Sequence, residues 1–98
     1  METEMTNNGE KLYVKLDGEI DAMAANNIEK ELLNQVENVK ELVFDLGKLE
    51  YISSAGLRVL LAMQKRMKRQ GYMEIKNTNE EVMHIFNISG FTRLLNIV

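Results

Sequence analysis

From Lys11 onward the chain switches repeatedly between two hydrophobic periods, and an alternation of strand-like with helix-like segments admits few architectures. Lys11 to Leu16 alternates polar and apolar residues, as a strand with one buried face does. Residues 2–6 can form a short strand before it, and the Asn8-Gly9 turn between them predicts an opening hairpin. Asp21 is placed to cap a helix whose apolar positions Ala25, Ile28, Leu32 and Val36 recur at three and four, ending between Asn34 and Val39. Glu41 to Leu46 is apolar on both faces and flanked by helices, which predicts a buried, parallel, central strand. A second helix is expected over Ser54 to Gln70, with Leu57, Leu60, Leu61, Gln64, Met67 and Lys68 on one stripe and Val59 and Met63 beside it, between core and contact surface. Lys65, Arg66, Lys68 and Arg69 suit its negative end, and Gly71 is placed to supply a left-handed residue after it. Tyr72 to Lys76 reads as a strand, and Thr78-Asn79-Glu80-Glu81 as a capping box. That box opens a third helix with Val82, Ile85 and Phe86 inward, stopped by Ser89-Gly90, and Leu94 to Val98 can close the fold as a strand. The sum is one compact α/β domain over residues 1–98, with a mixed, mostly parallel sheet and helices largely on one face.

The 98 residues leave no room for a second domain, and 45% hydrophobic content is enough for a single core. Apolar runs are too short for a membrane span or a signal peptide, so a cytoplasmic protein is expected. The chain has no Cys and one His, His84, beside the apolar stripe of the third helix, so neither disulfides nor a zinc site is expected and His84 is given no role. A net charge of −3, from 12 basic and 15 acidic residues, is a poor footprint for phosphodiester backbones, so no direct nucleic-acid partner is expected. No phosphate-cradling glycine loop, dinucleotide motif, His-Glu-x-x-His or nucleophile elbow is present, and no cofactor is expected.

Chemistry concentrates instead where the third expected strand gives way to the second helix. Ser53 and Ser54 stand at that turn, and a helix N-terminus offers unpaired N–H groups and a positive dipole end to an anion. A phosphate on either serine needs no metal there, although a capping role alone also accounts for one of them. Gly56 in the first helical turn costs roughly 0.5–1 kcal/mol relative to Ala, so either tight packing on the sheet or close approach of another backbone is required. Arg58, four residues after Ser54 and on the same helix face, can fork onto a phosphoserine or stand solvated. Asp17, Glu19, Asp21 and Asp45 invite a magnesium site at strand ends, but Asp17 reads as a turn and Asp21 as a cap, leaving only Asp45 without a local role.

Tyr-Ile-Ser-Ser-Ala-Gly-Leu-Arg at 51–58 resembles the phosphoserine loop of STAS domains, the family of sulphate transporters and anti-sigma factor antagonists, and the resemblance runs over nearly the whole chain. It implies that Ser54, two residues before Gly56, is the phosphorylated serine. Ser53 holds a position where many members carry Asp and is the secondary candidate. It also implies that Gly18-Glu19-Ile20-Asp21 lies near that loop, so that Glu19, Asp21, Asp45, Ser53, Ser54, Gly56 and Arg58 rim a partner-binding site and hold no metal. The function so implied is that of an anti-sigma factor antagonist, not an enzyme. Unphosphorylated, it binds an anti-sigma factor that is also a serine kinase with a histidine-kinase-like ATP site, and a metal-dependent serine phosphatase reverses the modification. Two alternatives remain: a STAS accessory subunit docked on the ATPase of a membrane lipid transporter, and a small magnesium-dependent phosphotransferase built on the carboxylates.

Overall fold

A computed structural model describes residues 2–98. The elements run β1 (Glu2–Asn7), β2 (Lys11–Ile20), α1 (Ala22–Gln35), β3 (Glu41–Ile52), α2 (Ser54–Gln70), β4 (Tyr72–Lys76) and α3 (Glu80–Ser89), followed by a 3₁₀ turn at Phe91–Arg93. The sheet order is β1-β2-β3-β4, with β1 antiparallel to β2 and the other pairs parallel. Leu12, Val14, Leu16, Leu42, Phe44, Met73 and Ile75 carry the sheet's share of the core, beneath Ile28 and Leu32 of α1, Leu60, Met63 and Met67 of α2 and Phe86 of α3. The expected fold class is the observed one.

The opposite face of the sheet carries no helix, and its polar residues line up in rows. One row, Glu4, Lys15, Asp45 and Lys76, alternates in sign across all four strands. Opposite charges side by side on neighbouring strands stabilise the pairing. Val43 lies on this face too, paired with Tyr13 and Glu74, and is still buried, so β3 is apolar on both sides as expected.

β2 and β3 both outrun their expected ends at Leu16 and Leu46. The register between them shifts twice, between Lys15 and Asp17 and between Gly18 and Glu19, and each shift places one extra residue on β3. These are β-bulges, which let Asp17-Gly18 and Gly47-Lys48 continue a ladder instead of turning the chain. Through the bulged half of β3 the buried residues come every third position, Leu46, Leu49 and Ile52, a spacing that hides a strand from a search for period two.

Four local expectations are corrected. The cap of α3 is Asn79, whose side chain accepts from the Val82 amide at 3.0 Å, not Thr78. Val59 and Met63 are core, at 7% and 2% exposure, while Lys68 of the expected stripe is exposed. Gly71 is not left-handed, with φ 176°; an ideal Cβ there would collide with the Lys40 carbonyl oxygen, so close approach and not conformation demands the glycine. The C-terminal segment makes no full strand: Ile75 donates to Asn96 O and accepts from Val98 N, both at 2.9 Å, as one isolated bridge. The Asn96 side chain takes the next rung by donating to Met73 O at 3.0 Å, and buried Gln64 holds the Asn96 amide at 3.0 Å. Side chains thus replace backbone where a second strand was expected.

Candidate functional site

Parallel β2 and β3 end side by side, and each leads into a helix. The Ser53 amide donates to Ile20 O at 2.9 Å and fastens the two strand ends together. Asp21 then caps α1, its carboxylate accepting from the Ala24 amide at 2.8 Å, and Ser53 caps α2, its Oγ accepting from the Gly56 amide at 3.2 Å. Two helix N-termini therefore open at neighbouring points on the same sheet edge, and their positive ends reinforce each other. Neither first turn carries an acidic residue, whereas that of α3 carries Glu80 and Glu81.

The two serines are not equivalent. Ser53 is half-buried and spends its oxygen on the cap. Ser54, the first residue of α2, is exposed, and its hydroxyl bonds to no protein group among the described residues. Gly56 is buried behind them: an ideal Cβ would stand 2.6 Å from Ile52 Cγ1 and 3.0 Å from Ile20 Cγ2. The glycine is required because α2 starts directly on the ends of β2 and β3. One turn on, exposed Arg58 lines a groove of about 240 Å³ between α1 and α2, with Ala22, Ala25, Asn26, Glu29, Ala55 and Val59. It forms no ion pair among the described residues.

Glu19 is exposed opposite Tyr51 on the last rungs of β2 and β3, and with Asp21 it borders a cleft of about 460 Å³ against α1. Six of the seven residues singled out in the sequence thus gather at one edge: Glu19, Asp21, Ser53, Ser54, Gly56 and Arg58. Two apolar neighbours escaped sequence reasoning, Met23 at 75% and Tyr51 at 47% exposure. Both were legible: Met23 falls off the stripe set by Ala25 and Ile28, and Tyr51 precedes buried Ile52 and must point the other way.

Asp45 is apart from them. It pairs with Lys15, five residues and roughly 16 Å of strand before the end of β2, on the helix-free face. Its carboxylate accepts from Tyr13 Oη at 2.7 Å and from the Gly47 amide at 3.0 Å, so its role is to hold the first bulge in β3. Burial pushes the Asp45 carboxyl up, but the bonds from Tyr13, Gly47 and Asn77 and the charge of Lys15 outweigh it and hold the carboxyl below its ordinary 3.8. The same bond, with burial and the Asp45 and Glu4 charges, raises Tyr13 above 10.0. A carboxyl depressed in the fold contributes stability that is in place above pH 3.8 and lost as pH falls through its lower folded value. The phenol's share is in place below pH 10.0 and lost as pH rises past it. The urea midpoint of Tyr13→Phe should therefore trail the wild type by a constant margin near neutrality, and the margin should shrink in acid below pH 3.8 and in base above pH 10.0. A margin independent of pH would show that the pair contributes only packing.

No group of three or more His, Asp or Glu residues among those described could hold a metal ion, and no helix is long and apolar enough to cross a membrane. The sequence is 40% identical over 82 residues to a candidate anti-sigma factor antagonist, BtrV of Bordetella bronchiseptica, covering 82% of this chain and 71% of that one. It is 29% identical over 91 residues to the anti-sigma-B factor antagonist of Bacillus subtilis, covering 92% and 84%. The fold superposes on the Bacillus cell fate determinant SpoIIAA, itself an anti-sigma factor antagonist, with a TM-score of 0.85 to the unphosphorylated form and 0.77 to the phosphorylated form at 18% and 17% identity. Those superpositions cover 99% of this chain and 88% and 91% of the respective SpoIIAA chains. With a STAS domain family model matched over residues 2–98, the chain belongs to the STAS domain family.

Proposed function

We propose that this protein is an anti-sigma factor antagonist switched by phosphorylation of Ser54. Unphosphorylated, it binds an anti-sigma factor that is also a serine kinase, and so releases a sigma factor to transcription. Phosphate on Ser54 ends the binding, and a serine phosphatase restores it. The observation that carries this reading is the difference between the serines: Ser54 Oγ is exposed and uncommitted, while Ser53 Oγ is held as the α2 cap. A kinase needs a hydroxyl it can extract from the surface, and only one of the pair is free of a structural duty.

The surroundings support the same residue. The phosphate would lie over the positive end of α2, beside that of α1, with Arg58 one turn away and unpaired among the described residues. Around it, Met23 and Tyr51 offer apolar contact, and Glu19 and Asp21 offer charge, on a surface that needs no cofactor. Such a regulator is expected to work in the cytoplasm, where kinase and sigma factor are found.

Incubation with the cognate kinase and ATP, followed by phosphopeptide mapping, tests the assignment. Modification is expected at Ser54, abolished in Ser54→Ala and retained in Ser53→Ala. Phosphate at a residue outside the pair, or none from a kinase active on its own, would overturn the proposal. Phosphate moving to Ser53 would reverse only the assignment within the pair.

A further inference from the structure

The two edges of the sheet are finished differently. The outer edge of β4 is occupied, because Ile75 exchanges hydrogen bonds with Asn96 and Val98 and the Asn96 side chain takes Met73 O. The outer edge of β1 is bare. The hairpin is closed by Asn8 N donating to Lys11 O at 3.1 Å, which makes Asn8 and Lys11 a hydrogen-bonded pair. Such pairs alternate along an antiparallel ladder, so Glu2, Glu4 and Thr6 turn their backbone groups towards β2, and Thr3, Met5 and Asn7 turn theirs outward. None of those three backbones bonds to another protein group among the described residues. The strand has no proline and no bulge, devices that close sheet edges elsewhere.

We propose that the occupant of this edge is β1 of a second copy of the chain, added antiparallel about a two-fold axis through Met5. Charge decides the register. Centring the pair on Met5 sets Met5 against Met5, Thr3 against Asn7, Glu4 against Thr6 and Glu2 against Asn8. Every outward backbone group then finds a partner, and no carboxylate faces another. A shift to a centre on Glu4 sets that glutamate against its own copy, and a centre on Thr3 sets Glu2 against Glu4. Like charges directly opposite destabilise a strand pair, so both shifts are disfavoured. A centre on Thr6 avoids the clash but leaves Glu2 and Thr3 unpaired.

The side chains agree with this arrangement. Met5 points to the helix face beside Val14, half-buried at the rim of the core, with its sulfur accepting from Gln35 Nε2 at 3.4 Å. Two such methionines meeting at the axis would continue the core from one copy into the next, and the two four-stranded sheets would become one of eight. The interface is isologous and closes on itself, so it yields dimers and not fibres. It is also small, and the dissociation constant belongs between about 1 μM and 1 mM, the span of weak contacts. Ser54 follows the end of β3, two strands in from the new pairing, whereas Thr3 borders the cleft that Glu19, Asp21 and Met23 also line, so the pairing reaches the rim of that surface and leaves the serine itself exposed.

Sedimentation equilibrium over about 10 μM to 1 mM protein, with amide exchange followed by NMR on the same samples, tests the inference. A monomer–dimer equilibrium is expected, with exchange at Thr3, Met5 and Asn7 slowing as concentration rises while Glu4 and Thr6 do not change. Thr3→Pro removes an outward donor without breaking an internal bond and should weaken the dimer, as should Met5→Lys, which sets two cations on the axis. Thr6→Lys puts a cation opposite Glu4 of the second copy at two symmetric places and should tighten the dimer about 3- to 10-fold. A strictly monomeric protein up to 1 mM would overturn the inference, as would a dimer that none of the three substitutions alters.

Discussion

Gly71→Ala is expected to lower the melting temperature by roughly 12–24 °C. An ideal Cβ at this position would overlap the Lys40 carbonyl oxygen and stand 2.8 and 2.9 Å from the Lys40 carbonyl carbon and Cα. All three neighbours are backbone, so no rotamer change can relieve the contact. Lys40 cannot move freely either, because its carbonyl accepts from Tyr72 N at 2.8 Å and its amide donates to Glu10 O at 2.7 Å. Those bonds start the β3–β4 and β2–β3 ladders, so a shift of Lys40 disturbs both. The cost belongs at the upper end of overpacking, about 3 kcal/mol, and each kcal/mol moves the midpoint of a domain this small by about 4–8 °C.

Gly90 provides the comparison. It also follows a helix, but with φ 79° and nothing within 4 Å of an added Cβ. Alanine there meets only conformational strain, about 1 kcal/mol and a correspondingly smaller shift. Calorimetry on both variants separates the two reasons for a glycine. A loss at Gly71 no larger than that at Gly90 would show that the start of β3 yields, and the close-approach argument would fail.

Those two glycines also show where sequence reasoning stopped. Both follow a helix, and the rule that places a left-handed glycine there holds at Gly90 and fails at Gly71, because the contact that demands Gly71 is with Lys40, thirty-one residues away in sequence. The same division runs through the fold. The helices were legible because each stripe repeats within its own segment and the caps are local, as at Asp21 and Ser53. Even at α3 only the capping residue was misplaced, by one position. The ends of β2 and β3 were not legible, since Asp17-Gly18 and Gly47-Lys48 have turn composition and only pairing between two long strands makes them bulges. Nor was the C-terminal segment, which is held by Gln64 and Asn96 side chains that carry no periodic signal.

The serine turn was legible as a helix start because a capping hydroxyl is a local feature, while the choice of Ser54 came from the resemblance of residues 51–58 to the STAS loop. Asp45 was harder to place. Its charge suggested the functional edge, yet its partner Tyr13 lies on a neighbouring strand and fixes it on the other face of the sheet. Met23 and Tyr51 went unnoticed for the opposite reason: their outward direction was legible, but exposure alone does not mark a function until the surface around it is known.

Phosphorylation of Ser54 is expected to weaken binding to the anti-sigma kinase by at least about 100-fold while leaving the melting temperature within a few degrees of the unmodified protein. The modification adds roughly −1.5 to −2 charges at an exposed N-terminal residue of α2, where an anion over the dipole gains typically 0.3–1 kcal/mol. No buried group is displaced, because Ser54 is exposed and the cap is made by Ser53. The fold therefore tolerates the phosphate. On the proposed binding surface, which includes Glu19 and Asp21, the same charge and bulk should cost several kcal/mol once water is excluded, and about 2.7 kcal/mol is already 100-fold. Ser54→Asp, with a single charge and less bulk, should weaken binding less than phosphate does, and Ser54→Ala should bind without being switchable. Arg58→Ala, measured in low salt, should make the phosphorylated form less stable relative to its own unmodified form if the guanidinium holds the phosphate one turn away. Equal responses with and without the arginine would remove it from the mechanism and leave the dipole alone. A fall of many degrees on phosphorylation would mean that the modification melts the turn, and loss of binding would then be loss of the surface itself, contrary to a switch that acts by repulsion on an intact fold.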